Sequence, residues 1–160
     1  MKAARYNLLK CSILVAALTS GSQIALASDD SSGSMVVGGV IISYAIIPGE
    51  MIRQAYQEGE PESAMHGGVP GGVHHHHLMV ALFRAGSNER ITDAIVHATV
   101  GEVGLSRKTK DLNPMPIAGQ MTYGNYFHMP KNQLYRISLQ IRLPGQGRTV
   151  ETRFDYKHHS

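Results

Sequence analysis

Four consecutive imidazoles, His74-His75-His76-His77, lead directly into the apolar run Leu78-Met79-Val80-Ala81-Leu82-Phe83. A second group of donors follows downstream: Met115, Met121, His128 and Met129. Imidazole nitrogen and thioether sulfur are ligands for soft and borderline metals, copper above all. If the run after His74 is a strand, side chains two positions apart share a face. His77 and Met79 then project together, and His75 joins them by parity where His74 and His76 do not. A later segment carrying Met115 and Met121 closes over that face in this reading, with His128 in reserve. The expected ligands are therefore His77, Met79, Met115 and Met121, followed by His75 and His128. Two imidazoles and two thioethers suit Cu(I), which accepts low coordination and soft donors, better than Cu(II); iron is the second candidate. The plainer reading is a His-rich surface tract that binds metal weakly.

The remaining histidines carry less. His97 falls mid-strand as an ordinary surface residue, His66 sits in a Gly-rich loop, and His158 and His159 form a tail expected to be disordered.

The first 27 residues read as a secretory leader. Lys2, Arg5 and Lys10 give a positive start, Cys11 to Leu18 is a short apolar stretch, and Ala25-Leu26-Ala27 precedes a cleavage point ahead of Ser28. The apolar stretch is too short for a lasting anchor. The chain from Ser28 onward keeps 12 Lys and Arg against 12 Asp and Glu. Its formal charge is zero, so the basic balance of the whole chain belongs to the leader, and no excess positive charge is left for a nucleic acid partner. The only cysteine, Cys11, leaves with the leader. Disulfides, thiolate ligands and cysteine nucleophiles are thereby excluded from an exported, periplasmic chain.

These donors must be positioned by strands. Ser28 to Ser34 is a polar, flexible lead-in. Met35 to Ile47 reads as one strand bulged at Gly38-Gly39 and ended by Pro48-Gly49. Glu50 to Glu62 is either a short helix around Met51 to Tyr56 or a charged loop, and Met65 to Gly72 is a Gly/Pro turn region. His75 to Ala85 is a strand, with Gly86-Ser87-Asn88 as its turn. Ile91 to Val103 gives one strand or two, kinked at Thr92-Asp93. Leu105 to Asp111 is a short exposed strand. Leu112 to Gly124 holds too much Pro and Gly for regular structure, and Asn125 to Met129 is a brief strand. Tyr135 to Leu143 and Val150 to Tyr156 alternate apolar and polar residues around Pro144-Gly145-Gln146-Gly147, which is a β-hairpin with one wet face. About seven strands over residues 35–157 predict a single all-β domain, an antiparallel sandwich of immunoglobulin-like or cupredoxin-like type. A small barrel is the alternative.

The motif His77-Leu78-Met79, then Pro114-Met115, then Tyr123-Gly124, resembles the periplasmic copper-binding proteins associated with bacterial iron uptake, the Fe2+ transport protein family. That family carries a His-x-Glu pair on an early strand, and later a Pro-Met segment followed by His-Tyr-Gly. His77 and Met115 match the family's His and Met, while Met79 stands at the Glu and Thr122 at the second His. The resemblance implies an immunoglobulin-like homodimer that binds copper. The exchange of Glu and His for Met and Thr implies a shift from Cu(II) toward Cu(I). A looser resemblance, over Ile91 to Ile141, is to the YtkA-like sandwich domains.

No Gly-x-Ser-x-Gly elbow, phosphate-binding loop or His-Glu-x-x-His helix is present, so no enzyme is expected. Two functions remain. One is metal binding in uptake, storage or delivery, or in copper-assisted iron uptake, with a membrane permease or another envelope metalloprotein as partner. The other is a non-catalytic interaction module of the cell envelope with an incidental His-rich surface.

Overall fold

Apolar/polar alternation is strict from Tyr135 to Leu143 and recurs from Val150 to Tyr156, and the structure is almost all antiparallel strand. A computed structural model describes residues 31–55 and 67–158. Residues 1–27, expected as a leader, residues 28–30 of the expected lead-in, Tyr56, Met65, His66 and His159 lie outside the described residues. Eight strands and one helix follow in chain order: β1 Ser32–Val37, β2 Val40–Pro48, α1 Gly49–Ala55, β3 His75–Arg84, β4 Ile95–Glu102, β5 Lys108–Ile117, β6 Gln120–His128, β7 Leu134–Arg142 and β8 Thr149–Lys157. Their hydrogen-bonded order is β1-β2-β3-β6-β5-β4-β7-β8.

β5 belongs to both layers. Its first half pairs with β4, from Val100↔Lys108 to Val96↔Leu112. Its second half pairs with β6, from Asn113↔Gly124 to Ile117↔Gln120. The chain therefore turns a corner at Leu112-Asn113, and two sheets face each other. Ile42, Leu78, Val80, Leu82, Tyr123 and Phe127 of one layer meet Val96, Ala98, Val100, Ile137, Leu139 and Ile141 of the other, all buried in one core. On the far side, β1 and β8 approach without pairing. Tyr44 stacks on Phe154 at 3.8 Å between centroids. Thr152 Oγ1 donates to Met35 Sδ at 3.1 Å, and the Arg148 guanidinium donates to the Gly38 carbonyl. The body is thus an all-β sandwich nearly closed into a barrel.

Several boundaries differ from the sequence reading. Met35 to Ile47 is two strands. Gly38 and Gly39 both take positive φ, 55° and 78°, so the glycines close a two-residue hairpin where a bulge was expected. Strand β1 begins at Ser32, inside the supposed lead-in. The Pro/Gly-rich Leu112 to Gly124 is a second hairpin, turning at Ala118 and Gly119, which also have positive φ. Pro114 and Pro116 are tolerated because the second half of β5 pairs on one side only, with β6. Eight strands replace the expected seven. The tail is also ordered through His158, which is 9% exposed with its Nδ1 donating to the Met129 carbonyl at 3.0 Å.

Candidate metal centre

The register between β3 and β6 sets which donors meet. His77 lies opposite Tyr126, Met79 opposite Gly124, and His75 opposite His128. On the other side of β6, Gly124 lies opposite Asn113 and Thr122 opposite Met115. Directly paired residues share a face. His75, His77, Met79, Met115, Thr122, Gly124 and His128 therefore all occupy the face turned away from the core, while Leu78, Val80 and Tyr123 turn inward.

That outer face is not wet throughout. His77 is 4% exposed and Met115 1%. Between them lies Gly124, and its missing side chain lets the two side chains pack against the strand at this point. A Cβ built there would meet His77 Nε2 at 2.7 Å and Met115 Cε at 2.7 Å. The imidazole nitrogen and the thioether methyl therefore converge over Gly124, whose partner across the β3–β6 ladder is Met79. The Nε2 atom is fully buried.

Neighbouring groups hold this arrangement. Tyr126, 3% exposed, stacks on His77 with centroids 4.4 Å apart and planes 21° apart. Burial pushes the Tyr126 phenol above its ordinary pKa, and Arg53 of α1 partly offsets this. The Lys110 ammonium donates to the Tyr126 carbonyl. Its own pKa is lowered, first by burial and then by Lys108. Thr122 Oγ1 donates to the Met115 carbonyl at 3.1 Å, tying β6 to β5 across the site. Below the site, Tyr123 fixes the core side: its hydroxyl accepts from Ala94 N–H at 2.9 Å and donates to the Ile91 carbonyl at 3.4 Å.

Of the expected ligands, His77 and Met115 converge over Gly124 and Met79 pairs with Gly124 on the same face, with Met115 on a strand and not a covering loop. Met121 is a correction. It pairs with Pro116, one position out of phase with Met115, so it faces the opposite side of the sheet. Its carbonyl accepts from Arg90 Nη1 at 2.7 Å. His75 and His128 lie on the correct face but beyond His77, toward the end of the strands. His97 is half-exposed and meets Asp111 Oδ1 at 2.6 Å in a surface pair. His76 turns to the core, 1% exposed, with its ring 4.4 Å from that of His158. Burial, then the charge of His158, lowers its pKa to about 4.

Sequence reading missed Gly124 and Tyr126 as parts of the site. A glycine inside a strand signals close approach of another group, and Gly124 carried that signal. Nothing local pairs Tyr126 with His77; only the register does. The donor set left at the pocket is imidazole and thioether, buried, which suits copper in its softer state. Among the described residues, no three His, Asp or Glu side chains surround a common metal position.

No protein-family model matches the chain, and no curated protein matches it. Solved structures do. FetP of uropathogenic Escherichia coli, expressed in the periplasm, matches with a TM-score of 0.60 at 13% identity, over 81% of this chain and 94% of its own. The copper-reconstituted P19 protein of Campylobacter jejuni matches with a TM-score of 0.54 at 12% identity, over 80% and 95%. A DUF4426 family protein of Pseudomonas aeruginosa matches with a TM-score of 0.61 at 9% identity, over 81% and 98%. At these identities the likeness is one of fold. The chain has the all-β architecture of FetP and P19, the kind of protein its short motifs resemble.

Proposed function

We propose that this chain is a periplasmic copper-binding protein whose pocket is formed by His77, Met79 and Met115. One observation carries the reading: His77 Nε2 and the Met115 methyl each lie 2.7 Å from the position a Gly124 side chain would take. A buried nitrogen donor and a thioether converging over one glycine have the composition of a Cu(I) site. Support comes from the shared fold with P19, solved with copper, and with FetP, of which a variant is copper-bound. The leader-like first 27 residues and the periplasmic expression of FetP support the location.

On this reading the protein is not an enzyme. His77 holds the ion from the buried side, Met115 and Met79 supply exchangeable thioethers, and the stacked Tyr126 keeps the imidazole in place. Exchangeable sulfur donors fit a protein that takes up, stores or delivers copper, or assists iron uptake through bound copper. A membrane permease or another envelope metalloprotein would receive the ion, and the resemblance to a dimeric family suggests a homodimer.

The test is titration of the chain from Ser28 with Cu(I) and with Cu(II) against a competing chelator. Stoichiometric Cu(I) binding is expected, with affinity reduced on the order of 10–100-fold or more in Met115→Ala and in His77→Ala, since losing even a group that orients a ligand has that effect. Weak binding indifferent to both substitutions, and abolished only when residues 74–77 are deleted, would overturn the proposal. An envelope interaction module would then be the better reading.

A further inference from the structure

Beyond His77, toward the end of β3, three more imidazoles gather. His75 lies opposite His128 in the ladder, with ring centroids 5.3 Å apart. His74, in the turn before β3, places its ring 5.8 Å from that of His128 on another side. The backbone that carries them is fixed: Met129 N–H donates to the His74 carbonyl at 2.7 Å, continuing the register by one bond. The Nδ1 atoms of His74 and of His75 are both buried, and neither has a hydrogen-bond partner among the described residues. Two orphaned ring nitrogens on adjacent residues are unusual, because a buried polar atom left unsatisfied is destabilising. His128 itself is exposed, so the group opens to solvent.

Their spacing has a meaning. With imidazole nitrogens about 2.0–2.1 Å from a tetrahedral ion, ring centroids fall about 5–5.5 Å from one another. The observed separations, 5.3 and 5.8 Å, lie at and just above that range. The three rings do not yet surround a common point. Closing the set needs rotation of side chains, and the exposed His128 has room for it, while the ladder holds the three backbones in place.

We propose that His74, His75 and His128 form a second site, made of three imidazoles, for a borderline divalent cation of the Zn(II) or Cu(II) class. It differs from the His77–Met115 pocket in chemistry: it has no sulfur donor, lies at the rim and opens to water. It stands whether or not the inner pocket takes copper.

The probe is Zn(II) alone, which has no redox chemistry to confuse the reading, added to the chain from Ser28 and followed by calorimetry and by imidazole nitrogen NMR shifts. One equivalent is expected, shifting the ring nitrogens of His74, His75 and His128. Its affinity should fall at least tenfold in His128→Ala and in His75→Gln, with folding checked by circular dichroism, and should hold within about twofold in Met115→Ala and His97→Ala. His128 is the decisive position, because it lies outside the four-His run. Zn(II) binding that survives His128→Ala, or that responds only to deletion of residues 74–77, overturns the proposal. Zn(II) binding of the expected pattern in a protein whose Cu(I) affinity ignores Met115→Ala would sustain this site and remove the inner one. The converse pattern would do the reverse.

Discussion

At the residue scale, the absence of a side chain at Gly124 is what allows His77 and Met115 to approach the same point. A single methyl placed there would collide with both at 2.7 Å. We expect Gly124→Ala to lower Cu(I) affinity at least tenfold and, through overpacking, to reduce stability by about 1–3 kcal/mol. Chelator competition and urea denaturation on the same sample separate the two effects. Unchanged copper affinity would show that the His77–Met115 approach is not where copper binds. The His77 and Met79 pairing was legible, because alternate residues of any strand share a face. Met121 was not, because its face depends on where the hairpin turns. Placing that turn at Ala118-Gly119 puts Met115 and Met121 in opposite phase, and one residue of register reverses a side chain. Thr122, six residues from Pro116 and unremarkable in type, occupies the position opposite Met115 that a ligand on β6 would need.

At the element scale, prolines and glycines were read as loop signals where the molecule uses them inside strands. Pro114 and Pro116 fit β5 only because that strand has left β4 by then, a fact that local sequence does not contain. The β5–β6 turn carries a remaining conflict. Ala118 adopts φ of 47°, a conformation unfavourable for any residue with a Cβ. Ala118→Gly should stabilise the protein by about 0.5–1 kcal/mol, net of the entropy glycine adds to the unfolded chain, and should leave metal binding unaltered. Thermal denaturation of the two proteins tests this; a lower midpoint for the glycine variant would show that the strain is absent. The Gly38-Gly39 hairpin has no such conflict, since both residues tolerate left-handed angles.

At the scale of the whole molecule, burial of one member of the His run links stability to pH. His76 faces the core against His158 and Tyr156 from the C-terminal segment, with His74 and His75 just before it in the chain. Its folded pKa of about 4 lies below the ordinary 6.5. Between these values the unfolded chain binds the proton and the folded protein does not, so stability falls as pH drops through that window and is fully present above it. For the metal-free protein the loss between pH 7 and 4 should be at most on the order of 2–3 kcal/mol from this group. Urea midpoints across that range check it, with His76→Phe expected to flatten the slope. A slope unchanged by the substitution would assign the effect to other groups.

By itself, the sequence determined an all-β body, a terminal hairpin, a chain without cysteine after Cys11, and a face of β3 bearing His77 and Met79. These follow from period-two alternation and residue type, which are local. Only the tertiary structure decided that Met115 reaches His77 while Met121 turns away, that Gly124 is where the two converge, and that His76 and His158 belong to the interior. Each of those depends on which strand lies beside which and in what register, and that is set by the packing of two whole sheets, not by any one segment.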